Sequence, residues 1–171
     1  MSAARPAVRL ANCLFFATGC EAALAFYAGC GLGVVAELRR HGEDGRPLAN
    51  EAMRGKVLHA RFEGPGVVFF ASDNDDAEPM RGSAHLLMVR ERERTERLFA
   101  ALAEGGRVTT PLGVQPWSGC YGKVTDRFGV QWMVTGRGRA GGGWAEGRDL
   151  WRHGRACPVH PRERDISPYP A

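Results

Sequence analysis

The sequence has no hydrophobic run long enough to cross a membrane. Its apolar stretches, such as residues 67–71, fall far short of the roughly 20 residues that a spanning helix requires. The first residues also lack the basic-then-apolar layout of a secretory signal, because Pro6 and Arg9 interrupt the only hydrophobic stretch before Leu14. We therefore expect a cytoplasmic protein without membrane contact.

The sequence also lacks a disulfide framework. Its five cysteines are odd in number and widely scattered, as is usual in a reducing compartment. A chain of 171 residues buries roughly two-thirds of its unfolded surface, so it needs neither a disulfide nor a metal ion to hold a core. Any metal ion would have to be argued from function.

Outside the C-terminal segment the chain has almost no net positive charge. The net charge is +4, but residues 137–171 carry seven arginines against four acidic residues, which accounts for +3 of it. The preceding 136 residues carry 16 basic and 15 acidic side chains. Binding to a polyanion requires a basic excess that this part of the chain lacks, so we expect no nucleic-acid partner.

The composition of the chain changes at residue 136. Residues 137–143 are mostly glycine and arginine, and four prolines follow near the C-terminus. Such a segment is costly to order and has little to bury. We therefore expect one domain over residues 7–136 and a Gly/Arg/Pro-rich extension over residues 137–171.

The domain repeats a pattern of one strand, one helix and three strands. An apolar run at residues 14–16 and a helical pattern ending near Gly33 are echoed about 73 residues later by residues 86–89 and a helical pattern ending near Gly106. Strand-like runs separated by turn residues follow in each half. The prediction is an α+β fold of two tandem βαβββ units, with curled mixed sheets around a cleft and helices on the outer face. The two halves are about 7–75 and 82–136.

Five phrases in this order resemble the vicinal-oxygen-chelate superfamily, which contains glyoxalase I, bleomycin-resistance proteins and extradiol dioxygenases, and within it the PhnB-like branch. They are residues 20–27 (CEAALAFY), 57–61 (VLHAR), 70–73 (FASD), 98–106 (LFAALAEGG) and 121–132 (YGKVTDRFGVQW). Each phrase is weak alone, whereas the ordered set is specific for the fold. The branch is also labelled a ubiquinone-pathway methyltransferase, but no glycine-rich nucleotide loop follows a first strand here.

The resemblance implies a divalent cation held by His, Gln or Glu on the first and last strands of each unit. Carried over, those positions are Asn12, Phe70, Ala84 (His85 if the register moves by one) and Met133. Catalytic metal sites usually have about three protein ligands, and a phenyl ring or thioether does not suit a hard cation. We expect no metal and no other cofactor. The alternative is a metal-dependent lyase, isomerase or dioxygenase with non-standard ligands.

His59 is the candidate for proton transfer, because imidazole titrates near neutral pH and lies here within a strand with one defined face. Asp73 closes the adjacent strand and is a candidate to orient His59, and Tyr121 is the third candidate catalytic residue. The alternatives are a half-buried histidine bonded to a neighbouring strand and an aspartate that caps a turn.

The resemblance also implies a mainly apolar cleft with a few polar groups. Its expected ligand-binding residues are Asn12, Phe16, Phe70, Ser72, Trp117 and Met133. Trp117 lies in a segment of small residues, where it would stack on a planar ligand or anchor the loop to the core or a dimer partner.

Together these features predict a metal-independent, homodimeric protein of this superfamily whose partner is a small organic ligand. It would either sequester that ligand or transform it through His59. The remaining possibility is a scaffold domain that acts through its basic C-terminal segment.

Overall fold

The structure is a computed structural model that describes residue 8 and residues 10–115 and 118–136. Trp117 and the predicted extension 137–171 lie outside the described residues. The first unit contains β1 (Asn12–Phe16), α1 (Cys20–Gly29), β2 (Val34–Arg40), a short 3-10 helix (Glu51–Met53), β3 (Val57–Gly64) and β4 (Val67–Asp73). The second contains β5 (His85–Val89), α2 (Arg92–Ala103), β6 (Arg107–Gln115), β7 (Ser118–Thr125) and β8 (Gln131–Gly136).

The predicted α+β fold of two βαβββ units is confirmed. Each unit forms a four-stranded sheet, with strand orders β1-β4-β3-β2 and β5-β8-β7-β6. The first strand of each unit runs parallel to the last, and the other neighbours are antiparallel. The two sheets therefore share one topology.

Each helix buries one stripe of residues against its sheet. The buried positions are Cys20, Ala23, Leu24 and Tyr27 in α1, and Thr95, Leu98, Phe99 and Leu102 in α2. Both sets follow the i, i+3, i+4, i+7 spacing of an amphipathic helix. Gly31 and Gly105 follow the helices with φ of 75° and 69°, a left-handed conformation that favours glycine. The longest described helix, α2, has 12 residues, and none in the described ranges could span a membrane.

Each sheet has one face covered by its helix and one open face. In the first sheet, Leu14, Ala60 and Ala71 are ladder partners, and all three are buried in the core beneath α1. In the second, Val124 and Trp132 are partners and are equally buried. Because side chains alternate along a strand, the residues between these positions point to the opposite side. We call these sides the open faces.

The two units meet through a buried carboxylate. Asp126, in the turn between β7 and β8, accepts hydrogen bonds from the Tyr27 hydroxyl and the Trp132 indole N–H, each at 2.8 Å. Its other oxygen accepts the backbone N–H groups of Phe128 and Val130 at 2.8 and 3.0 Å. Tyr27 belongs to α1, so this carboxylate connects the first unit to the second.

The first residues of β1 and β5 also meet between the units. The Asn12 Nδ2 and His85 Nδ1 atoms are 3.0 Å apart, and the two residues are separated by 73 positions, the period of the repeat. Equivalent strands therefore begin on either side of an approximate twofold axis.

Candidate functional site

The pairing of β1 with β4 determines which residues face outward from the first sheet. Phe70 is paired with Cys13, and Ser72 is paired with Phe15. These four side chains therefore share the open face, whereas Asn12 and Phe16 lie on the covered side with Phe69 and Asp73. The predicted ligand-binding residues Asn12 and Phe16 therefore do not share a face with Phe70 and Ser72.

An open groove of ≈ 750 Å³ lies where the end of β1 meets the second sheet. Phe15 and Phe16 border it from the first unit, and Lys123, Thr125 and Gln131 border it from β7 and β8. The loop of residues 77–81 forms a further wall, held by a 3.3 Å hydrogen bond from Gln131 Nε2 to the Met80 carbonyl oxygen. A groove of this volume accommodates a small organic molecule.

His59 lies on the open face of the first sheet, outside the groove. Its ring is half-buried and packs against Phe70, with centroids 5.4 Å apart. No hydrogen bond to the His59 ring joins it to another residue in the described ranges. The ring nitrogens are therefore available to a molecule on this face, which is the geometry that proton transfer requires.

Asp73 does not orient His59, and this prediction needs correction. Its carboxylate is 3% exposed and lies on the covered side of β4. One oxygen accepts the Cys20 N–H and the other the Val57 N–H, each at 3.0 Å. Asp73 therefore pairs an unsatisfied N–H at the start of α1, a position that favours a negative charge, and ties it to β3. Its role is structural.

The remaining predicted residues are divided between the two open faces. Phe70 and Ser72 lie on the first, and Met133 and Tyr121 lie on the second, with Lys123 the ladder partner of Met133. Extending the β3–β4 ladder pairs His59 with Ser72, as Tyr121 is paired with Thr135. His59 and Tyr121 therefore occupy equivalent positions of the two sheets.

The superfamily's cation does not fit the residues at its expected positions. Of the positions that the resemblance implies, Phe70 and Met133 lie on the open faces, where their ladder partners on the first strands are Cys13 and Leu86. His85 turns to the covered side, where its ring lies 5.0 Å from that of Trp132. A thiol, a phenyl ring, an alkyl chain and a thioether do not make a site for a hard divalent cation. No cluster of three His, Cys, Asp or Glu suited to a metal occurs in the described part of the chain.

Burial makes Cys20 and Cys30 weak nucleophiles. It raises the pKa of Cys20 to about 12 and that of Cys30 to about 11. It also raises the pKa of Cys13 and of Cys120. A reactive cysteine requires a lowered pKa, so these positions do not support thiolate chemistry.

Sequence reasoning missed the basic side of the groove. Arg81, Arg107 and Lys123 line it, from the loop before β5, from β6 and from β7. Only Lys123 had a sequence signal, because the polar residues 121, 123 and 125 alternate with residues 122 and 124. Nothing in the sequence places Arg81 or Arg107 beside it.

Two βαβββ units with helices on their outer faces define the glyoxalase/bleomycin resistance/dioxygenase class of protein. A glyoxylase/bleomycin resistance protein/dioxygenase domain from Frankia sp. EAN1pec shares this fold, with a TM-score of 0.55 at 13% identity over 80% of this chain and 96% of that one. Residues 8–135 match the family described as 3-demethylubiquinone-9 3-methyltransferase, so the chain belongs to this family, the PhnB-like branch of the class.

Two solved structures resemble the chain more strongly in sequence. Protein PA1353 from Pseudomonas aeruginosa is 34% identical, with a TM-score of 0.69 over 77% of this chain and 99% of that one. A putative 3-demethylubiquinone-9 3-methyltransferase, PhnB protein, from Bacillus cereus is 25% identical, with a TM-score of 0.64 over 75% and 99% of the two chains. A comparison with proteins of curated function found no match.

Proposed function

We propose that the chain binds a small organic molecule in the groove between its two units, without a metal ion at the superfamily's cation positions. The observation that carries this proposal is the groove itself, which has an aromatic wall from β1 and a polar wall from β7 and β8. Ligand sites combine apolar surface with a few polar groups in this way. Membership of a superfamily whose members bind small molecules supports the same function.

The name of the matched family describes methyl transfer, which the segment between β1 and α1 does not favour. The segment between β1 and α1 is Ala17-Thr18-Gly19, with a single glycine. A dinucleotide or phosphate loop needs several glycines so that the backbone can approach the ligand. We therefore propose ligand binding rather than methyl transfer, and S-adenosylmethionine should not raise the melting temperature.

Chemical transformation of the ligand is the second candidate function. It is favoured by the half-buried His59 ring, which packs on Phe70 and has no described hydrogen-bond partner. In this proposal His59 exchanges a proton with a ligand that extends from the groove along the first open face, towards Phe70 and Ser72. A His59→Gln variant that binds ligand normally but forms no product would support catalysis. Unchanged turnover in that variant would exclude His59.

The homodimer expected from the sequence remains a prediction. It is supported by apolar side chains on the open faces, because exposed apolar surface marks interaction sites. Phe15, Val68, Leu86 and Met88 are 46, 48, 42 and 67% exposed. Light scattering of the full chain measures the oligomeric state directly.

The binding proposal is tested by thermal shift against a library of small metabolites, with and without EDTA, followed by a crystal structure with each hit. We expect hits that survive EDTA and occupy the groove. Phe15→Ala should weaken their binding about ten- to a hundredfold, since burial of one aromatic side chain contributes about 1.5–3 kcal/mol. The matched control is Val114→Ala, at an 80% exposed position on β6. A cation bound by three or more protein atoms, or hits lost in EDTA, would contradict the proposal.

A further inference from the structure

The lining of the groove has an excess of positive charge. Its lining contains three basic residues, Arg81, Arg107 and Lys123, and one acidic residue, Glu78, for a net charge of +2. None of the three basic side chains forms an ion pair with a residue in the described ranges. By contrast, eight other arginines in those ranges do form ion pairs. The positive charge of the groove lining is therefore not neutralised by an ion pair within the described ranges.

The repeat shows what is missing beside Lys123. Arg61 pairs with Phe70 as Lys123 pairs with Met133, so the two basic residues are equivalent. Two positions further on, the equivalent residues are Glu63 and Thr125. In the first unit Glu63 neutralises Arg61 across 3.2 Å, whereas Thr125 offers Lys123 no carboxylate.

The glycines after the two helices support this alignment independently. A Cβ at Gly33 would collide with the Glu63 carbonyl oxygen, and a Cβ at Gly106 would collide with that of Thr125. Gly33 and Gly106 are equivalent in the repeat, so Glu63 and Thr125 are equivalent as well. The lack of a carboxylate beside this basic residue is therefore specific to the second unit.

We infer that this groove binds the carboxylate or phosphoryl group of a small organic acid through Lys123, Arg107 and Arg81. This inference rests on the proposed function and names its ligand class. Guanidinium and ammonium groups are the side chains that recognise such anions, and bonds between charged groups are stronger than neutral ones. The apolar part of the ligand would lie against Phe15 and Phe128, which border the same groove.

The test uses the full chain and two arms of probes: 2-naphthoate with its neutral partner 2-naphthamide, and phenylphosphonate with neutral benzyl alcohol. Calorimetry gives the Kd of each probe, and a crystal structure or NMR shift map gives its position. The variants are Lys123→Gln and Thr125→Glu, the second of which restores the carboxylate found in the first unit. Arg61→Gln is the matched control, because Arg61 holds the equivalent position outside the groove.

We expect an acid to bind in the groove more tightly than its neutral partner. Each variant should weaken that binding about tenfold, the equivalent of one charge-assisted hydrogen bond, and Arg61→Gln should not. The arm that binds more tightly distinguishes a carboxylate from a phosphoryl ligand. Equal binding of acids and neutral probes in the groove would overturn the anion site and leave the proposed function standing. Binding of the acids elsewhere, or of no probe at all, would overturn both.

Discussion

Replacement of Asp126 by asparagine tests the contact that joins the two units. The carboxylate is 4% exposed and accepts four hydrogen bonds, two from backbone N–H groups and two from Tyr27 and Trp132. An asparagine has one acceptor oxygen and one amide group. If the oxygen keeps the backbone pair, the amide faces two donors. The Tyr27 hydroxyl can rotate to accept from it, but the Trp132 N–H can only donate.

The expected loss is worked from these bonds. Three retained bonds change from charged to neutral, each weaker by about 1 kcal/mol, and one buried donor left unpaired costs a further 1–3 kcal/mol. Together they predict that Asp126→Asn lowers the free energy of unfolding by about 4–6 kcal/mol, a large part of the roughly 5–15 kcal/mol of a typical domain. Tyr27→Phe removes a single donor and should cost about 1.5–2 kcal/mol.

Urea denaturation followed by far-UV circular dichroism measures both losses. Asp76→Asn is the matched control, since Asp76 is an exposed loop carboxylate, and it should change stability by less than about 0.5 kcal/mol. The double variant of Tyr27 and Asp126 should be about 1 kcal/mol more stable than the sum of the two singles predicts, because the residues are in contact. A loss below about 1 kcal/mol for Asp126→Asn, with an unchanged denaturant slope, would refute the reasoning.

Burial lowers the pKa of His85 from its ordinary 6.5, so the unfolded chain binds more protons just below that pH and stability is lost as pH falls through this window. His85→Gln should therefore flatten the decline of Tm between about pH 7 and 5, and an identical decline in both proteins would contradict this. With its pKa near 11, about one Cys30 thiol in a thousand is ionised at pH 8. Iodoacetamide should spare Cys30 in native protein and label it in urea, by peptide mass spectrometry, whereas rapid native labelling would count against burial. Asp73→Asn leaves one buried N–H unpaired, so it should lower the free energy of unfolding in urea by about 1–3 kcal/mol without altering the Kd of a groove ligand. A variant of normal stability that no longer binds the ligand would show that Asp73 belongs to the site.

The order of elements was readable from the sequence because each depends on local patterns. The helices are predicted by the spacing of their apolar residues and by the glycines that end them, and the turn at residues 126–129 is predicted by its composition. The repeat added long-range information, since two similar halves imply two similar sheets. Gly33 and Gly106, aligned by that repeat, do occupy equivalent places in the structure.

The sequence could not predict in the same way which side of the sheet each β1 residue occupies. The strand has five residues, of which Leu14, Phe15 and Phe16 are all apolar, so alternation does not distinguish its two faces. Which β1 residues point to the core is set by pairing with β4, which lies more than fifty positions further along the chain. The Asp73 contacts are hidden for a related reason, because the carboxylate bonds to backbone N–H groups, which any residue can supply.

Duplication allows the two halves of one chain to differ where two identical subunits could not. Asn12 faces His85 at the approximate axis, an unlike pair at equivalent positions. In the same way Arg61 forms an ion pair with Glu63 in one unit, whereas Lys123 has Thr125 at the equivalent position in the other. With a carboxylate at both positions, each of these two basic residues would have an ion-pair partner, and with a carboxylate at neither, both would lack one. The observed asymmetry therefore predicts one organic anion bound per chain, and a calorimetric stoichiometry of two would show that the first unit binds as well.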